Sequence, residues 1–324
     1  MTTTPSSHVV PAAKPGRPSR QSPRRRPRLS ADLLAELANR LTARDRWLLH
    51  MLYEHRVLTT VQIAQLAYGA GTTAAHRLQR LWQLRAVDRQ QPLVERGSAP
   101  MHYVLGDAGA AVLAAHHDIT VHELGYRRDT AIGILHSAKI AHTVGVNSIL
   151  AALVAHARRH PDTRLIAWWP ERRCTQLWGD LARPDAYAHW RDGDTRVEFF
   201  LEYDTGSEPV HRLVKKLADY ADLAHATGAT TPVLFWFPTP AREANARTAL
   251  RDAPIPVATA APEPGNADPA SQLWQPVGDQ SRRRLAALDR LSRTSATDDL
   301  ARPPGLLEQA PWAVPVAPMP PPTR

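Results

Sequence analysis

Acidic side chains recur at alternate positions in EFFLEYDTG, residues 198–206. In an extended strand, side chains alternate between faces, so Glu198, Phe200, Glu202 and Asp204 fall together. Adjacent carboxylates on one face repel unless something positive lies between them. That face is therefore either wet or holds a cation. Upstream, Pro184-Asp185 and the turn at Asp192-Gly193-Asp194 predict a hairpin that sets Asp185 against Glu202 and Asp204. Mg²⁺ or Mn²⁺ takes oxygen ligands and keeps several waters, so Asp185, Glu202 and Asp204 would suffice to hold one. Such an ion could activate water against a phosphodiester. Downstream, VHRLVKKLADYADLA has helical spacing, with Leu213 and Leu217 inward. Lys216 and Tyr220 are four residues apart and share a face, whereas Lys215 turns aside. The candidate catalytic set is Asp185, Glu202, Asp204, Lys216 and Lys215, the lysines offsetting developing negative charge. A rim of acids balanced by arginines is the non-catalytic alternative.

Other chemistries find little support. The fifteen histidines are scattered, with no HExxH run and no paired Cys/His set, which argues against zinc. A single cysteine, Cys174, excludes an intrachain disulfide framework and suits a reducing cytoplasm. No GxxxxGK[ST] run is present, and no nucleotide or organic cofactor is expected. Tyr187, Tyr203 and Tyr220 read as packing or rim residues rather than nucleophiles.

The elements that must position these groups follow from periodicity. LIAWWP, PDAYAHW, VEFFLEY and TPVLFWFP are strand-like, and a helix separates the last two, which argues for an α/β domain over residues 126–250. Before it, residues 31–125 read as a helical module with a hairpin. Thr42 caps a helix with Asp45 three residues on, and Leu58-Thr59-Thr60 starts a second helix. Tyr68-Gly69-Ala70-Gly71 makes a turn, and Thr72 or Thr73 opens a third helix. Two short helices about a tight turn predict helix-turn-helix architecture. Thr73, His76, Arg77 and Arg80 are expected on the exposed side of the third helix, placed to meet a major groove. Val87-Asp88-Arg89 and HYVLGDAG predict a β-hairpin wing carrying Arg89 and Arg96.

Residues 1–30 carry Lys14, Arg17, Arg20, Arg24, Arg25, Arg26 and Arg28 and no acid, a large share of the +9 formal charge. A disordered basic tail of this kind grips phosphates, and Arg24, Arg25 and Arg26 join the DNA-binding set. Residues 251–324 read as a Pro/Ala-rich linker, a short basic helix near 281–293 and a disordered tail. No run reaches the roughly 18–20 apolar residues of a membrane span, so no membrane partner is expected.

Two resemblances sharpen these expectations. Pro184-Asp185 followed by Glu202 resembles the PD-(D/E)xK nuclease core, with Asp204 where that pattern has lysine and Lys215 or Lys216 as substitutes. The order of LTARDRWLLHMLYEHRVLTTVQIAQL, HYVLGDAGAAVL, RPDAYAHW and FFLEYDTGSEPVHRLVKKLADY resembles the actinobacterial replication-relaxation family, associated with plasmids and other mobile elements. The resemblance implies a two-domain protein: a winged helix-turn-helix and a restriction-endonuclease-like α/β domain. It implies double-stranded DNA as partner and a role in replication, relaxation or mobilisation, with nicking one option. A regulator without catalysis, or an adaptor for replication or conjugation proteins, is the alternative, and a homodimer is compatible with either.

Overall fold

A computed structural model describes residues 27–262, 267–291 and 316–321. The chain opens with α1 (Ala31–Arg40), capped by Ser30, and α2 (Ala43–His55). Thr42 and Asp45 form a reciprocal capping box: each backbone N–H donates to the other's side chain, at 2.7 and 3.2 Å. Leu58 and Thr59 form a short strand, β1, paired with Tyr103 and His102, and lead directly into the expected second helix. Thr59 then caps α3 (Thr60–Ile63), again with a capping box, to Gln62, and α3 runs into a π-helical turn at Ala64–Tyr68. Gly69, with φ 76°, makes the sharp turn into α4 (Gly71–Gln83). β2 (Val87–Gln90) and β3 (His102–Leu105) are the two arms of a hairpin, and the antiparallel sheet runs β1-β3-β2. α5 (Asp107–His116) closes this part.

After α6 (Arg128–Gly133) and a 3-10 turn comes α7 (Ile140–Ala157). α7 is long and apolar enough to cross a membrane, but half of that window is buried in this fold. It packs across one face of a six-stranded mixed sheet, ordered β4-β5-β6-β7-β8-β9. β4 (Thr163–Pro170), β5 (Ala186–Asp192) and β6 (Thr195–Tyr203) form an antiparallel meander. β7 (Val233–Trp236) and β8 (Val257–Ala260) then run parallel to β6, and β9 (Gln275–Pro276) is antiparallel at the edge. The crossover from β6 to β7 is α9 (Val210–Thr227); α8 (Glu171–Trp178) and α10 (Pro240–Ala249) share its side of the sheet.

Alternation along β6 sorts the core. Val197, Phe199 and Leu201 face the α7 side, while Phe200 meets Leu213, Leu217 and Tyr220 of α9. α8, β8 and β9 were not expected from the sequence. The expected basic helix near 281–293 is a 3-10 segment, Leu285–Leu291, whose Leu285 and Leu288 are buried.

Among the described residues, buried side chains of the two expected domains pack together. One buried apolar cluster runs from Leu33 of α1 through α7 and the sheet to Leu288. Polar ties cross the same boundary. Gln62 donates to the Val144 carbonyl and Ser148, both at 2.8 Å, and Asn147 donates to the Val57 carbonyl at 2.8 Å. Arg173 of α8 makes a buried two-point ion pair with Glu54 of α2, at 2.5 and 2.9 Å.

Candidate functional site

The acids meet at the end of the central strands. Pairing of Ala186 with Leu201 sets the preceding Asp185 beside Glu202. Asp185 accepts from the Tyr203 N–H through Oδ2 at 2.8 Å and from His142 Nε2 through Oδ1 at 3.0 Å. His142 lies in the first turn of α7, which can approach β6 closely because residue 145 is glycine. A Cβ there would sit 2.3 Å from the Tyr203 ring.

Glu202 is almost fully buried and holds two partners from α9. Lys216 Nζ donates to Oε2 at 2.7 Å, and the Tyr220 hydroxyl donates to Oε1. The i,i+4 spacing of Lys216 and Tyr220 puts both groups over one carboxylate. Asp204 lies just beyond β6, where its N–H donates to the Trp236 carbonyl. Its carboxylate accepts from Arg242 Nε at 2.6 Å and from the Gly206 N–H at 2.9 Å. Asp185, Glu202, Asp204 and Lys216 all line one cleft of about 530 Å³, with His142, Lys139 and Ser207. Lys215 is exposed on α9 and does not line it.

Charge and burial shape the titration of this cluster. Burial, then the neighbouring Asp185 charge, pushes the Glu202 carboxyl up to about 7, although Lys216 and Tyr220 pull the other way. For Lys216, burial opposes the ammonium, but the charges of Glu202 and Asp185 outweigh it and hold the amine above its usual range. His142 is raised chiefly by its hydrogen bond to Asp185, with burial opposing. Asp185 and Glu202, side by side on the cleft, are the residues that would hold a divalent cation. Asp204 fits that role less well, since Arg242 already neutralises it.

The helical part places the other candidates. Thr73, His76 and Arg80 are exposed along α4, opposite buried Ala74, Leu78 and Leu81. Arg77, expected on that open face, instead turns inward. Its Nε donates to Asp45 at 2.8 Å, and its Nη2 donates to the other Asp45 oxygen and, at 3.0 Å, to the Arg40 carbonyl. The physical reason is Asp45: a capping carboxylate buried to 1% exposure demands a cation. In the hairpin, Arg89 stacks over the Trp82 ring, 4.3 Å from its centroid, and Arg96 is exposed in the connection between β2 and β3. Arg24, Arg25 and Arg26 lie outside the described residues.

Three partners of the acids escaped the sequence reading. His142 belongs to a helix far upstream of Asp185, and Arg242 to α10, the third element after Asp204, so neither leaves a local signal. Tyr220 did leave one, its spacing from Lys216, although it reads as a packing residue.

Residues 49–238 match the model of the replication-relaxation family. The chain belongs to that family. Membership points to a role in replication or relaxation of mobile elements, and the matched span holds α4, the hairpin and Asp185, Glu202, Asp204 and Lys216, with Arg242 just beyond it. Comparisons with curated proteins and with solved structures return no match.

Proposed function

We propose that this replication-relaxation family protein binds double-stranded DNA of a plasmid or other mobile element and nicks it in the cleft of Asp185 and Glu202. The observation that carries the proposal is the meeting of Asp185, Glu202 and Lys216, from β5, β6 and α9, in one cleft. The order helix, three antiparallel strands, helix, parallel strand (α7, β4–β6, α9, β7), with α8 inserted between β4 and β5, supports a nuclease core of the PD-(D/E)xK kind, with the lysine moved onto the following helix. Asp185 and Glu202 would hold Mg²⁺ or Mn²⁺, which when bound supplies an activated water and neutralises phosphoryl oxygens. His142 orients Asp185, Tyr220 orients Glu202, and Lys216 offers its charge to the phosphate as negative charge builds. Compensation of Glu202 by Lys216 keeps the site tolerable to the fold before DNA arrives.

DNA recognition rests on the first part of the chain. α3, the turn at Gly69, α4 and the β2–β3 hairpin make up a winged helix-turn-helix, with β1 as its third strand. In that geometry the recognition helix enters the major groove, so Thr73, His76 and Arg80 face base edges or phosphates. Arg89 and Arg96 of the wing lie over the backbone. A reducing cytoplasm is the compartment that suits lone, buried Cys174.

A second reading, a DNA-binding regulator or adaptor without cleavage, is favoured by one observation: Asp204, paired to Arg242, stands where the nuclease pattern has lysine. Incubation of supercoiled plasmid with wild type and Glu202→Ala, in Mg²⁺ or Mn²⁺, separates the two. Nicked circles from wild type alone support the nuclease. Intact plasmid with undiminished duplex binding supports the regulator.

A further inference from the structure

Trp47 is the first aromatic residue of α2 and is only 8% exposed, yet part of its cover comes from the far end of the chain. Its indole Nε1–H donates to the Ala317 carbonyl at 2.8 Å. Around that bond, Pro318 is buried, and Val316 and Met319 pack against the main apolar core. Ala317 itself is exposed, and the chain bends at Pro318 and Met319, which both turn towards the protein. These are the features by which aromatic surfaces recognise proline-rich peptides. Such a peptide makes no internal hydrogen bonds and leaves its carbonyls free, and an indole N–H satisfies one while the ring packs on the flanking side chains. A chain stiffened by proline also loses little entropy on docking.

We propose that the face of α2 around Trp47 is a receptor for a proline-rich peptide, and that residues 316–321 are its ligand, held in cis as an exchangeable strap. Among the described residues the contact is small, one hydrogen bond and a few side chains, so its intrinsic affinity is low. Tethering compensates: residues 292–315 join the strap to the body, and linked sites of this kind see each other at effective concentrations of order 1 mM. A groove with a Kd near 0.1 mM would then be about 90% filled by its own tail, and a free peptide would bind about tenfold more weakly. The same arithmetic lets a second proline-rich segment displace the strap when its local concentration exceeds that of the tether. Neither Trp47 nor residues 316–321 line the acid cleft, and the proposal does not depend on the activity proposed there.

The test uses the full chain and a fluorescein-labelled peptide of residues 314–322. Pro318→Asp combined with Met319→Asp should release the strap in cis. With its circular dichroism and thermal midpoint near those of wild type, this variant should bind the peptide saturably and about tenfold more tightly than wild type does. Adding Trp47→Phe, which keeps a ring and deletes the donor, should weaken that binding about two- to tenfold, the worth of one neutral hydrogen bond. Equal peptide binding by wild type and the released variant would overturn the proposal, as would a folded released variant that ignores the peptide. A second readout leaves the tail intact. In ¹H–¹⁵N spectra of wild type, the Trp47 indole N–H, assigned by its loss in Trp47→Phe, should exchange more slowly than a free indole. Exchange at the free rate would also overturn it.

Discussion

Asp45 with Arg77 and Glu202 with Lys216 are two versions of one arrangement: a buried acid held by a cation from a neighbouring helix. Their surroundings differ. Asp45 caps α2 and receives two bonds from Arg77, which also holds the Arg40 carbonyl, so the group ties α4 to the end of α1 and the start of α2. Glu202 has a second carboxylate, Asp185, beside it and a cleft in front, and its pKa is displaced accordingly. A paired acid with every partner turned inward is a strut. A crowded acid opening on a cleft, with its cation half-exposed at 36%, retains charge that a substrate can use.

The largest effect expected from this contrast is on stability. Arg77→Ala strands the Asp45 carboxylate in the interior, at a cost of about 3 kcal/mol, read as a fall in thermal midpoint of roughly 5–10 °C. Next comes a pH dependence confined to the other pair. The folded Glu202 carboxyl titrates near 7, above its ordinary value of 4.5. Its contribution is therefore fully present below about pH 4.5 and is lost as pH rises through about 7. His142, also raised, acts in the same direction. His50 and His55, both lowered by burial, act the other way in wild type and variant alike. The test is therefore the difference between wild type and Glu202→Gln by urea unfolding, which should change by on the order of 2–3 kcal/mol between pH 5 and pH 8, wild type losing the more. Arg80→Ala should leave the thermal midpoint within about 2 °C and weaken duplex binding several-fold. Fluorescence anisotropy at several salt concentrations should also show a salt slope lower by about one. The smallest effect is Arg89→Ala, which removes the stacking on Trp82 at about 0.5–1 kcal/mol and is checked by urea midpoint.

Local pattern carried much of this fold into view. Alternation marked β5, β6 and β7, the i,i+4 spacing put Lys216 with Tyr220, and Thr42 with Asp45 announced a capping box. What pattern missed were pairings across elements. Leu58-Thr59-Thr60 does open a helix, at Thr60, but the pairing of Leu58 and Thr59 with β3 depends on residues far along the chain. Arg77 lies on a face shared with Thr73, His76 and Arg80, and only Asp45 on another helix turns it inward. In the acid cluster, sequence named Asp185, Glu202 and Lys216, because strand and helix periods orient them locally. His142 and Arg242 come from elements brought in by the fold, so no spacing could announce them.

On the proposed function the two ion pairs differ in kind, one serving the fold and one the chemistry of DNA. Nicking of supercoiled plasmid in Mg²⁺ or Mn²⁺ by Lys216→Ala and Arg77→Ala, side by side with wild type and below all thermal midpoints, tests it directly. Loss of Lys216 leaves a carboxyl that can protonate near neutral pH, so that variant should stay folded while nicking falls at least about a hundredfold, the scale of one lost electrostatic contact in a reaction. Arg77→Ala should melt earlier yet nick normally per folded molecule when DNA is saturating. Wild-type rates from Lys216→Ala, or no nicking by wild type, would contradict the claim.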